Sequence, residues 1–280
     1  MATPFVKMQG DGNDFVVLDE TAERLVSDRS GFAARYCDRR FGVGADGVIH
    51  VERPEASELD AEGADVAMRL FQPDGDEAAM CGNGVRCVAR FAVDEGLVEP
   101  GGPIHVRTPA GLRRARVDGD RVGVAMGTPS FAPGDVPATR EIVEEALGEL
   151  TVTAVDTGVP HAVAFVDDVE TMPLERLAPA TRHHDVFPEG ANVDIAGSLD
   201  EDDGGYRVRT FERGVEGETM ACGTGAVAVA AVARRERDAG DAVRIVANGG
   251  ELRVTFDEDG AATLEGGAER VFEGSVPAEM

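Results

Sequence analysis

The chain has 280 residues, 42% of them hydrophobic, enough to bury the core of one large domain or two ordinary ones. It carries 53 Asp and Glu against 27 Lys and Arg, a formal charge of −26 that argues against DNA, RNA or an anionic membrane as partner. No apolar run nears the roughly 18 residues of a membrane span, and MATPFVKMQG lacks a charged leader with an apolar core, so a cytoplasmic chain with reduced thiols is expected.

Residues 5–19 read as strand, loop, strand, with Gly10-Asp11-Gly12-Asn13-Asp14 as the loop. A helix is expected over Ser30–Arg40, with Phe32, Tyr36 and Cys37 inward, and Gly44-Ala45-Asp46-Gly47 then leads into the strand Val48–Val51. The acidic stretch from Glu52 to Asp65 reads as a solvated loop, and the strand Ala67–Phe71 delivers the chain to Gln72-Pro73-Asp74-Gly75. From Val85 apolar residues recur at helical spacing until Gly96, which suits the position after a helix end. Strands 104–108, 112–117 and 121–126 follow, the last two joined by a Gly119-Asp120 turn. TREIVEEAL, residues 139–147, is amphipathic and is expected to be helical.

The second half replays the first. Gly158-Val159-Pro160-His161 stands where Gly12-Asn13-Asp14 stood, and Gly190-Ala191-Asn192-Val193-Asp194 where Gly44-Ala45-Asp46-Gly47 stood. The strand 206–211 ends in Glu212-Arg213-Gly214, and IVANGGELRVTF echoes VRTPAGLRRARV. Met80-Cys81-Gly82-Asn83-Gly84 recurs as Ala221-Cys222-Gly223-Thr224-Gly225, each opening an apolar helix. The second helix, 226–235, is apolar all round and must be enclosed. The repeat therefore implies an α/β (α+β) fold of two pseudo-symmetric domains from an internal duplication. Each is a curled mixed or antiparallel sheet around a central helix, with the active site expected in the cleft between them. The expected domains are 1–127 and 128–280, with a strand near 270–280 free to pack back onto the first.

A Cys-Gly-x-Gly turn at a helix start places a thiol beside unpaired N–H groups and the positive end of a dipole, which bind an anion and lower a thiol pKa. Two such cysteines facing each other suit inversion of a carbon stereocentre, one removing a proton from one face and the other returning one. Lys7, the one lysine, lies in an ordinary strand pattern, so no pyridoxal phosphate site is expected, nor any metal cluster. Cofactors are expected to be none. Cys37 and Cys87 lack flanking glycines and read as packing residues; His183-His184 reads as loop, and His50 and His105 carry no signal.

GDGNDFVV, FQPDGDEAAMCGNGVRC, GVPHAV, FPEGANVD and ERGVEGETMACGTG together resemble the diaminopimelate epimerase family over essentially the full chain. The resemblance implies a cofactor-independent interconversion of LL- and meso-diaminopimelate in lysine and cell-wall precursor synthesis. It makes Cys81 and Cys222 the acid/base pair, with Gly82, Asn83, Gly223 and Thr224 on the reacting carboxylate. Asn13, Gln72, Asn192, Glu212 and Arg213 match substrate-contacting positions, and His161 and Glu212 would support catalysis beside a thiol. The family often has Asn where this chain has Gln72 and Val159, and Gln where it has Gly47.

Three alternatives stay open on the sequence: a racemase acting on proline, a cysteine pair used as a redox switch, and a non-catalytic amino-acid-binding protein. Whether the chain forms a homodimer is also open. Acid spread along the chain among periodic apolar residues, with lysine almost eliminated, reads as adaptation to high salt.

Overall fold

The computed structural model describes residues 2–54, 63–199 and 204–277. The acidic run at 200–203 and most of the loop expected between Glu52 and Asp65 lie outside the described residues. The chain divides into two compact units, one of residues 1–124 with 266–280 and the other of residues 125–265. The division thus falls at Val124/Ala125 rather than at 127/128, and the chain end groups with the first unit.

The first unit contains β1 (Ala2–Gly10), β2 (Asn13–Glu20), α1 (Arg29–Tyr36), β3 (Gly47–Glu52), β4 (Val66–Phe71), β5 (Glu77–Ala78), α2 (Gly82–Asp94), β6 (Ile104–Thr108), β7 (Gly111–Asp118), most of β8 (Arg121–Gly127) and the last strand, β18 (Glu269–Pro277). Neighbouring strands run β18, β1, β2, β3, β4, β6, β7, β8. All pair antiparallel except β2 with β3 and β4 with β6. Those two parallel pairs are the ones whose connections contain α1 and α2, because a parallel return needs a crossover long enough to hold a helix.

The second unit repeats that plan with β9 (Glu145–Leu147), β10 (Leu150–Asp156), β11 (Pro160–Phe165), α3 (Leu174–Arg182), β12 (Asn192–Ser198), β13 (Tyr206–Glu212), β14 (Gly217–Thr219), α4 (Gly223–Glu236), β15 (Ala242–Val246), β16 (Glu251–Phe256) and most of β17 (Ala262–Gly267). Its parallel pairs are β11 with β12 and β13 with β15, again bridged by helices. Strand order, strand sense and helix placement therefore match between the units.

Among the described residues, one helix lies on each face of the sheet in each unit. The hydrophobic cluster of α4 joins Ala226–Ala233 to Val155, Val163, Val208, Ile245 and Val254. On the other face α3 packs Leu174, Leu177 and Ala178 against Val152, Val193 and Ile195. The alternation of β12 explains the split: Val193 and Ile195 point to α3, while Ala196 points to α4. In the first unit α1 and its neighbours Phe5, Val16, Leu18 and Val48 form the outer cluster, and α2 packs on β1, β4, β6 and β7. Among the described residues no helix is long and apolar enough to cross a membrane.

Two local expectations need correction. The first helix ends at Tyr36, where Cys37 caps it through its N–H to the Ala33 carbonyl, so it stops short of Arg40. Residues 139–147 are not helical. Ile142 and Leu147 are buried, Glu144 takes a positive φ of 46°, and β9 pairs with β10. A nine-residue amphipathic pattern is too short to hold a helix by itself, and the open edge of β10 offers its backbone groups partners. Leu174–Arg182 forms α3 although Pro179 lies inside it.

Candidate active site

Both Cys-Gly-x-Gly motifs fold the same way. Cys81 and Cys222 are the N-caps of α2 and α4 in extended conformation, and each sulfur accepts the N–H of the third residue on, Gly84 or Gly225, at 3.4 Å. Sulfur thus stands where Ser or Asp usually caps a helix, at the positive end of the dipole.

Around Cys81 the first unit assembles Asn13 and Asn83. Asn13 Oδ1 accepts from the Cys81 thiol at 3.7 Å and from Asn83 Nδ2 at 3.4 Å. Asn13 Nδ2 donates to Asp46 Oδ2 at 2.6 Å. Beyond it lies a charged network: Arg39 bridges Asp46 and Asp14, and Lys7 reaches Asp14 Oδ2 at 2.7 Å and the Gly44 carbonyl. Burial pushes the Asp14 carboxyl up, but bonds from Arg39 and Lys7 outweigh it and hold it at about 2. From the inner side Arg86, fully buried on α2, pairs with Asp11 and the Gly267 carbonyl, fixing the start of the same loop.

Around Cys222 the second unit assembles a buried polar network. His161 is fully buried; its Nδ1 lies 2.7 Å from Asp194 Oδ2 and its Nε2 3.2 Å from Asn192 Nδ2. A carboxylate at Nδ1 makes that nitrogen the protonated one and leaves Nε2 to accept from Asn192. Asn192 Oδ1 then accepts the Arg213 N–H at 2.7 Å, and Asp194 Oδ1 accepts from Thr210 Oγ1 at 2.7 Å. Thr224 Oγ1 lies 3.3 Å from the Cys222 sulfur. Gly225 must lack a side chain: a Cβ there would stand 2.5 Å from Asp194 Oδ1. Burial pushes the Cys222 thiol well above its ordinary range, and Glu212 and Asp194 push it further. The lowering expected from the helix start, supplied by Thr224 and the Gly225 N–H, is the smaller effect. Burial likewise raises the Glu212 carboxyl.

Of the residues singled out in the sequence, Cys81, Gly82, Asn83 and Asn13 gather in one unit and His161, Asn192, Glu212, Arg213, Cys222, Gly223 and Thr224 in the other. Gln72 lies exposed in the β4–β5 turn, its backbone N–H on the Asp76 carbonyl. Gly47 is buried, and a Cβ there would meet Leu70 Cδ1 at 2.6 Å, so the glutamine common in the resembling family would not fit without displacement. Val159 offers its carbonyl to Thr157 N–H. Burial pushes Cys37 up to about 11 and Cys87 up to about 12, as inert packing thiols require. Two contributors were missed, Asp46 and Asp194. Asp194 was legible, since a strand puts residues 192 and 194 on one face; Asp46 sits before its strand and gave no such signal.

The family profile described as diaminopimelate epimerase matches residues 5–132 and 153–271. A diaminopimelate epimerase of Methanothrix thermoacetophila is 45% identical over 99% of this chain and 96% of its own length. One from Methanocella arvoryzae is 44% identical over 99% and 97%. Among solved structures, a Bacillus anthracis phenazine biosynthesis protein of the PhzF family superposes with a TM-score of 0.72 at 19% identity, covering 99% of both chains. A probable proline racemase from Agrobacterium radiobacter K84 gives 0.66 at 16%, covering 99% of this chain and 93% of that one; at such identity these two show a shared fold.

Proposed function

The chain belongs to the diaminopimelate epimerase family, and from that premise we propose that it interconverts LL- and meso-2,6-diaminopimelate in lysine biosynthesis. The observation that carries the reading is the pair of matched thiols, each capping a helix with its sulfur on a backbone N–H. Once one thiol has lost its proton to solvent, the thiolate takes the α-proton of the substrate. The electron pair left on that carbon delocalises into the adjacent carboxylate, whose growing charge the helix-start N–H groups stabilise. The other cysteine gives its S–H proton to the opposite face. No cofactor enters this scheme.

Burial, with Glu212 and Asp194, favours the neutral thiol of Cys222, the form that donates. Asp194 fixes the tautomer of His161, which in turn holds Asn192 and, through it, the Arg213 backbone. Glu212 and Arg213 supply an acceptor for an ammonium and a fork for a carboxylate, as a diamino diacid requires and a proline ring does not. A cytoplasmic setting, a high-salt habitat and a homodimer belong to the same proposal; the net charge of −26 supports the second of these.

Reduced protein in D₂O tests it. With one base per face, product at low conversion carries deuterium at the inverted carbon while recovered substrate stays protiated. Cys81→Ala and Cys222→Ala should each reduce inversion by several orders of magnitude, as groups acting as a unit do. Near-normal inversion by either variant, or early deuterium in the substrate pool, would eliminate the two-thiol reading.

A further inference from the structure

We propose that Asp46 is a positioning residue that locks the Asn13 amide with its oxygen toward Cys81, holding that cysteine as a thiol in the substrate-free protein. This rests on the acid/base role given to Cys81 above, but its test does not depend on catalysis.

An asparagine amide can turn over and exchange its donor and acceptor ends. Here it cannot do so freely, because Asp46 is a carboxylate that only accepts, and it stands 2.6 Å from Asn13 Nδ2. Turning the amide would set oxygen against oxygen at that distance. The locked Oδ1 faces the Cys81 sulfur at 3.7 Å, where it accepts from S–H and repels a thiolate. Asn83 Nδ2, donating to the same oxygen at 3.4 Å, agrees with this orientation. A bond accepted from the neutral form of an acid disfavours its ionised form. The Gly84 N–H at 3.4 Å from the sulfur acts in the opposite sense, so the amide orientation sets which form of Cys81 is preferred.

Asp46 is itself held. Its Oδ1 pairs with Arg39 at 2.7 Å, and its Oδ2 also accepts the Asp14 N–H at 3.2 Å. Arg39 is anchored in turn by Asp14, and Asp14 by Lys7. The one lysine of the chain thus ends a line of bonded side chains that leads through Asp14, Arg39, Asp46 and Asn13 to the sulfur.

Alkylation by iodoacetamide at fixed pH and salt, with modification at Cys81 located by mass spectrometry, measures the thiolate available there. Asp46→Ala frees the amide to turn its N–H toward sulfur and should alkylate about tenfold faster, the scale of one charge-assisted hydrogen bond. Asp46→Asn removes the charge but keeps an acceptor for Asn13 Nδ2, and should stay within about twofold of the unaltered protein. Equal acceleration in both variants would assign the effect to charge, and no acceleration in Asp46→Ala would remove the lock; either overturns the proposal. Should Asp46→Ala fail to fold, the Asn13 side-chain amide protons of the unaltered chain decide by NMR. They should be protected from exchange; rapid exchange overturns the lock. An enzyme that fails to epimerise diaminopimelate while Asp46→Ala still accelerates alkylation would refute the function and leave the lock standing.

Discussion

At Gly225 and Gly84 the two half-sites differ in what lies beneath the helix start. A Cβ at 84 would touch Ile49 Cδ1 and the Met68 sulfur at 3.4–3.5 Å, ordinary contact distances, whereas at 225 it would strike Asp194 Oδ1 at 2.5 Å. Gly225→Ala should therefore cost about 1–3 kcal/mol, the range of overpacked cores, and displace Asp194 from His161. Gly84→Ala should cost less than about 1 kcal/mol. Urea unfolding of the two variants checks the order, and equal losses would mean that the carboxylate yields easily. A second residue-scale effect concerns acid. Glu20 is buried against Arg29 and His50; burial raises its carboxyl, but His50, Arg29 and the Val26 N–H bring it down to about 2. Burial lowers His50, so at neutral pH its ring is uncharged and Arg29 supplies the positive charge. Both folded pKa values lie below the unfolded ones, so the unfolded chain binds more protons and stability falls as pH drops. His50 begins the loss below its unfolded value near 6.5 and Glu20 adds to it between about 4.5 and 2. Glu20→Gln should flatten the lower part of that fall in urea midpoints measured from pH 7 to pH 3.

Elements differ in how firmly they are set by their own residues. The helix α4 is buried on every side, and Ala228 has no exposed surface, so Ala228→Leu must push strands apart at a cost of about 1–3 kcal/mol. The β9 segment is held by two anchors, Ile142 and Leu147. Ile142→Ala should lose about 2–5 kcal/mol, while the exposed Val143→Ala next to it should lose almost nothing; denaturant midpoints separate the two. The same contrast explains what could be read in advance. Period-two strands and the enclosed apolar run of α4 carry their structure in their own pattern, as do the cysteine turns, whose glycines leave few alternatives. Residues 139–147 carry a helical pattern that a neighbouring strand edge overrules, and α3 forms over Pro179 because its Leu174, Leu177 and Ala178 face finds a sheet to cover. In the site, partners that alternate along one strand, such as Asn192 and Asp194, were within reach of pattern. Asp46 was not, because its role depends on a pairing 33 residues away in sequence.

Over the whole molecule the balance of charge sets the conditions under which these elements hold. With 53 acidic groups against 27 basic ones, about half of the acids are in excess of one-to-one pairing, and many of the ion pairs are exposed, as Arg176 with Glu149 and Arg140 with Glu145. Such exposed pairs contribute about 0–1 kcal/mol each and weaken with salt, while the repulsion among the excess acids also weakens. The second effect should win, because the excess is a sum over many like charges within reach of each other at a screening length of about 10 Å in 0.1 M salt, and few remain within reach at about 3 Å in 1 M. Stability should therefore rise with potassium chloride. The urea midpoint followed by circular dichroism should increase between 0.05 M and 2 M salt, and the folded signal should be lost first at the dilute end. Replacing the exposed Glu23, Glu99, Asp120 and Glu258 by lysine should shift that dependence toward lower salt, since each change removes one negative charge and adds a positive one. If the substituted chain needs as much salt as the original, the requirement comes from binding of particular ions rather than from repulsion. If neither chain responds to salt, the composition is not an adaptation to it.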